Sequence, residues 1–299
     1  MSKLFYYGED TLDVRTALAL ANGQRRGALN STTRERLQAS ATAVATIAAG
    51  EQAVYGINTG FGPLCTTRIS PADTLELQEN ILKSHAVGVG EQTPDLLVRL
   101  MLVLKLQALA QGYSGIQLTT LDRIQWHLEE NVLPVVPEQG SVGASGDLAP
   151  LAHLFLPLIG GGYVTYQGQT RPTAEVLASL GQSPIQLGPK EGLALINGTQ
   201  FMLAYAVAAL DRAKALQDHA DRAGAAMVEA LLGSARPFLD TVHQLRSYPG
   251  SRHVAARIDM LLQDSPLVAS HADCERVQDP YSLRCIPQVH GASREAWRH

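Results

Sequence analysis

The densest chemical signal in the chain is the stretch GSVGASGDLAP from Gly140 to Pro150. Three familiar loops do not fit it. A phosphate loop needs Lys-Ser/Thr after its last glycine, whereas Asp147 and Leu148 follow here, and an acid would repel phosphate. The glycines at 140, 143 and 146 miss the GxGxxG spacing, and no clear strand precedes them. A nucleophile elbow needs GxSxG, but Asp147 stands where its last glycine belongs. Two readings remain open. One is a tight turn entering a helix. The other is covalent. In Ala144-Ser145-Gly146 the serine is flanked by the two smallest residues, so the backbone can fold sharply on itself. Attack of the Gly146 nitrogen on the Ala144 carbonyl, with loss of one water from ring closure and one from Ser145, gives a five-membered ring with an exocyclic methylene. Such an electrophile does the work of an electron-sink cofactor.

GSVGASGDLAPLAHL (140–154) resembles the prosthetic-group motif of the aromatic amino acid lyase family, whose Ala-Ser-Gly cyclises to 4-methylideneimidazole-5-one (MIO). YGINTGFG (55–62), ALINGTQ (194–200) and VQDPYSLRCIPQVHG (277–291) match in the family's order, and the four segments span nearly the whole chain. KSHAVG (83–88) resembles the histidine ammonia-lyase branch. The resemblance implies non-oxidative elimination of ammonia from L-histidine to give trans-urocanate, as in histidine degradation. It implies a ring formed autocatalytically from Ala144, Ser145 and Gly146, with no metal or nucleotide. It also implies a mainly α, fumarase/aspartase-like fold, in which an N-terminal region with the ring loop and a small β element leads into a long-helix bundle. Family enzymes are homotetramers with shared sites and continue past residue 291, so against them this chain is truncated. The alternatives are a non-catalytic fragment, half of a split enzyme, or a tyrosine or phenylalanine ammonia-lyase or aminomutase.

Residue roles follow from the same match. Tyr55 corresponds to the family's proposed general base; a phenol ionises near pH 10 and needs help from a helix end or a cation. Gly56, Gly60 and Gly62 around it favour a flexible loop that closes over substrate. Asn197 can donate its amide to the ring carbonyl or a substrate oxygen, or simply cap the long helix beginning there. Arg284 suits a bidentate clamp on the substrate carboxylate, and Tyr281 and Gln278 line the same pocket. Tyr281 is also matched to a catalytic role, in the reaction or in orienting the amine. His85 is the candidate for specificity, because an imidazole can trade donor and acceptor roles with the substrate's own. His153 reads as structural support. Each has a plainer reading as an ordinary loop or helix-end residue, which the segment matches outweigh.

Helices must position these groups. Ala and Leu dominate and aromatics are only 5%, a composition that favours helix over strand. Ser70, Pro71 and Asp73 form a helix start, with Leu75, Gln78, Leu82 and His85 on one face until Gly88 and Gly90. Thr93-Pro94-Asp95 opens a second helix, apolar on most sides, that stops at Gly112. Tyr163 to Thr170 reads as a strand or hairpin. From Gly198 to Arg236 there is no proline, and Met202, Ala206, Ala209, Ala213, Leu216, Ala220, Ala223, Met227 and Leu231 repeat at steps of three and four. That stripe predicts the seam of a long bundle helix. Further helices are expected from about Gly250 to Gln263 and from about Ser293 onward. The domain reading is a ring-bearing region over 1–197 and the start of the bundle over 198–299.

A net charge of −4 with mixed signs argues against a surface built on phosphate neutralisation, so no nucleic-acid partner is expected. Cys65, Cys274 and Cys285 form no CxxC pair and read as reduced and structural, which places the protein in the cytoplasm. The histidines show no HExxH or zinc spacing. No uncharged apolar run reaches the roughly 18 residues of a membrane span, and no basic and apolar leader follows Met1, so no membrane association is expected.

Overall fold

The structure, a computed structural model, describes residues 3–60 and 67–299; Gly62 and Cys65 lie outside the described residues. The chain divides into two compact units, Met1–Ala208 and Ala209–His299. The division falls inside the long helix, whereas the sequence boundary sits at the turn before it.

The first unit is organised around the helix Asp95–Leu109, whose buried side chains run from Leu97 through Leu109 and include Lys105. Helices Val14–Ala21 and Leu118–Glu129 pack against it. The helix Pro71–His85 begins as its sequence implies: the Ser70 side chain accepts from Asp73 N at 3.2 Å, and Pro71 opens the first turn. Its buried positions are Thr74, Gln78, Ile81 and Leu82, and it lies against helices Leu148–Phe155 and Glu191–Ile196. The strand after it, Val89–Gln92, pairs antiparallel with Pro137–Gln139, the strand leading into the glycine-rich stretch. The expected hairpin is present. Tyr163–Tyr166 and Gln169–Pro172 are joined through Gln167 and Gly168, both at positive φ, and Leu133–Pro134 adds a third strand.

The long helix runs from Gln200 to Ala230. The stripe expected as the bundle seam stands largely exposed, as it would until another chain covers it. Met202, Leu216, Met227 and Leu231 are exposed, while Phe201, Ala204, Val207, Ala225 and Val228 are buried. An alanine-rich helix is apolar on more than one side, so periodicity alone does not choose the packed face. The segment Glu191–Ala230 is long and apolar enough to cross a membrane by length and composition, with a mean hydropathy of 1.6 in its most apolar window. The backbone breaks at Asn197–Thr199, between two separate helices, which argues against a continuous span.

In the second unit the helix Pro249–Leu262 packs along Ile286–Arg298, over a core that includes Val228, Phe238, Val254, Ile258 and Leu283. The last helix starts well before Ser293. It contains Gly291 where two helices touch: a Cβ there would lie 2.4 Å from Ser251 N.

Candidate functional site

Ala144 and Ser145 are exposed at the tip of a turn that closes on itself. Gly143 N donates to Gly146 O and Gly146 N donates to Gly143 O, each at 3.1 Å. Gly146 has φ of +125°, and a Cβ on it would lie 2.6 Å from Gly198 O, so both the conformation and the space demand glycine. The next residue fastens the turn. Asp147 N donates to Gly198 O at 2.7 Å, and its buried carboxylate accepts from Met202 N at 2.9 Å, in the first turn of the long helix. The loop fits the ring its sequence suggests. Its backbone already doubles back across Ala144 and Ser145, and no side chain stands between Gly146 and Gly198.

Asn197 is exposed in that same turn. It ends the short helix Glu191–Ile196, its N–H donating to Leu193 O at 3.0 Å, while the long helix starts only at Gln200. The capping alternative for Asn197 therefore gives way: the first turn of the long helix is capped across the fold by Asp147. Lys105 Nζ donates to Asn197 O at 3.0 Å. Burial pushes this lysine down to about 7, against the opposing pull of Asp147. Neither Asp147 nor Lys105 stood out as a site residue in the sequence. The signal for Lys105 was a charge in the middle of LLVRLMLVLKLQALAQ, flanked by leucines on both sides.

His85 ends its helix. Its Nδ1 donates to Ile81 O at 2.9 Å, which leaves Nε2 as an acceptor without a partner among the described residues. Three residues on, Gly88 N donates to His153 Nε2 at 2.9 Å. His153 lies in the helix that follows the ring loop, and burial lowers its pKa. Through Gly88–His153 and Asp147–Gly198, the segments carrying His85, the ring loop and Asn197 are tied into one cluster.

Tyr55 is exposed in a turn anchored on buried Asn58 and Thr59. Val54 N donates to Asn58 Oδ1 at 2.7 Å, and Gly56 N donates to Thr59 Oγ1 at 3.2 Å. These bonds hold the described residues around Tyr55 in a defined turn.

The second unit holds the remaining candidates. The Arg284 guanidinium carbon sits 4.0 Å from the centre of the Tyr281 ring, and its Nε donates to Asp279 O at 3.1 Å. Its two terminal nitrogens have no hydrogen bond among the described residues. Arg284 and Gln278 line a cavity of about 350 Å³ with Arg236, Arg276 and His271. Cys274 is exposed and Cys285 half-buried, both as free thiols. Among the described residues no group of three or more His, Cys, Asp or Glu side chains is placed to hold a metal ion.

The candidate site is thus a self-closed Ala-Ser-Gly turn packed against an Asn-Gly turn, within a mainly helical fold. Residues 12–299 match the family described as aromatic amino acid lyase, and the chain belongs to that family. Histidine ammonia-lyase of Myxococcus xanthus is 50% identical over 286 residues, covering 96% of this chain and 56% of that protein. Among solved structures, histidine ammonia-lyase of Trypanosoma cruzi aligns with a TM-score of 0.87 at 36% identity, covering 99% of this chain and 55% of its own. Tyrosine aminomutase of Streptomyces globisporus aligns with a TM-score of 0.90 at 32% identity, covering 99% of this chain and 60% of its own. The chain spans little more than half the length of these relatives.

Proposed function

We propose that this chain carries the site of a histidine ammonia-lyase, eliminating ammonia from L-histidine to give trans-urocanate. The observation that carries the reading is the turn closed between Gly143 and Gly146 with Gly198 against it, an arrangement that suits cyclisation of Ala144-Ser145-Gly146 to MIO. Identity near 50% to histidine ammonia-lyases favours this substrate over the other members of the family. The ring supplies an electrophile that activates the substrate for loss of its amine.

The chain's own residues do the rest. The Tyr55 oxygen takes the β-proton. The electrons of that C–H bond become the new carbon–carbon double bond, and the C–N pair leaves with ammonia. The Asn197 amide donates to the ring carbonyl or to a substrate oxygen. His85, its Nδ1 proton fixed on Ile81, offers Nε2 to the N–H of the substrate imidazole. In the shared site of an assembled homotetramer, Arg284, Gln278 and Tyr281 come from a neighbouring copy, where Arg284 presents its terminal nitrogens to the substrate carboxylate and Tyr281 orients the amine. Exposure of Met202, Leu216, Met227 and Leu231 supports assembly with further helices, as a cytoplasmic homotetramer. The same exposure favours the second reading, a helical piece that needs more chain before it works.

The intact mass of the peptide containing Ala144, Ser145 and Gly146 tests the proposal. Loss of two waters is expected, and a peptide at its full unmodified mass overturns it.

A further inference from the structure

Lys105 is an expensive residue to place where it is. It lies 2% exposed in the helix Asp95–Leu109, among side chains that are otherwise almost all aliphatic. Removing an ammonium from water costs several kcal/mol unless specific partners compensate. Its partners are specific: Asn197 O at 3.0 Å, the Phe155 ring at 5.9 Å, and the carboxylate of Asp147 acting on it electrostatically. Two buried acceptors, Asp147 Oδ1 and Gln200 Oε1, have no hydrogen-bond partner, so acceptors outnumber donors around the Asn197–Gly198 turn. That turn is also the surface against which Gly146 packs, and Gly198 O takes the Asp147 N–H.

We infer that Lys105 is a positioning residue for the Ala144-Ser145-Gly146 loop: its ammonium holds the Asn197 carbonyl and so fixes the Gly198 backbone against Gly146. Lys105 does not reach the reacting atoms. It acts through Asn197 on one side and, by its charge, through Asp147 on the other. A Leu or Met at this position would fill the space at lower cost but would leave the Asn197 carbonyl unheld. The inference rests on the ring-forming reading of the loop, which it deepens by naming what sets the loop's register.

The test separates positioning from folding. Lys105→Met alone strands the Asp147 carboxylate, so the comparison uses a neutral background in which Asn still caps Met202: Asp147→Asn against Lys105→Met/Asp147→Asn. Hydrogen exchange is read at the residue 147 amide and across Asp95–Leu109, and the rate of two-water loss is followed by peptide mass. Relative to Asp147→Asn, the double variant is expected to exchange at residue 147 about tenfold faster or more, the effect of one lost hydrogen bond, with helix protection unchanged. Its dehydration should slow by a similar factor. Equal exchange at residue 147 in the two proteins overturns the inference. So does faster exchange spread evenly over the helix, which would make Lys105 merely structural. If the wild-type protein never loses two waters, the ring reading fails while the exchange data still decide the role of Lys105.

Discussion

Asp147 accepts the backbone N–H of Met202 at 2.9 Å across a sequence separation of 55, so the residue that closes the ring loop also caps the long helix. Position of the loop and start of the helix are therefore one structural event. Asp147→Ala removes the cap and leaves Lys105 without its counter-charge. Urea unfolding should show a loss of about 2 kcal/mol. A loss below about 0.5 kcal/mol would mean that the cap carries no weight.

Gly146→Ala places a Cβ 2.6 Å from Gly198 O at a φ of +125°. The substitution should cost roughly 2 kcal/mol or more and block two-water loss, because the two turns must part to admit a methyl group. A variant that still dehydrates at the wild-type rate would show that the close approach is not needed.

His127 is buried and neutral, its Nδ1 donating to Val132 O at 2.8 Å, and burial depresses its pKa to about 4. Between about 6.5 and 4 the unfolded chain binds a proton that the folded chain refuses. Stability should therefore fall as pH drops through that window, by about 3 kcal/mol. His127→Gln should flatten this part of the profile, and parallel profiles would contradict the assignment.

Lys105 moves the other end of the pH scale. With its folded value near 7, the unfolded chain holds the extra proton between about 7 and 10.5. The stability of wild type relative to Lys105→Met should rise with pH across that interval. Urea midpoints at pH 7 and pH 9.5 check it; a constant difference would place the lysine in a wetter site than the one seen.

Gly291→Leu should loosen the contact between helices Pro249–Leu262 and Ile286–Arg298, where a Cβ meets Ser251 N at 2.4 Å. A cost of about 2 kcal/mol confined to the second unit is expected. Hydrogen exchange resolves it, and equal loosening of the helix Asp95–Leu109 would contradict the separation into two units.

The ring loop could be read in the sequence because its information is local: two small residues flanking a serine, inside a motif long enough to identify. The Ser70 cap and the 163–172 hairpin were legible for the same reason. What could not be read is long-range. Lys105 finds Asn197 O at a separation of 92, and Asp147 finds Met202 at 55. No spacing rule carries such pairs. The stripe from Met202 to Leu231 was legible as a seam, but which side of so alanine-rich a helix packs within the chain was not, because apolar residues fall on several sides. The last helix begins at Ile286 rather than near Ser293, with Gly291 inside it at a helix contact.

The most direct measurement is trans-urocanate absorbance on adding L-histidine to protein whose ring formation has been established by mass, with Ser145→Ala alongside. The account predicts rising absorbance from the ring-containing protein and none from Ser145→Ala. No urocanate from the ring-containing protein, or equal turnover by the variant, would contradict it.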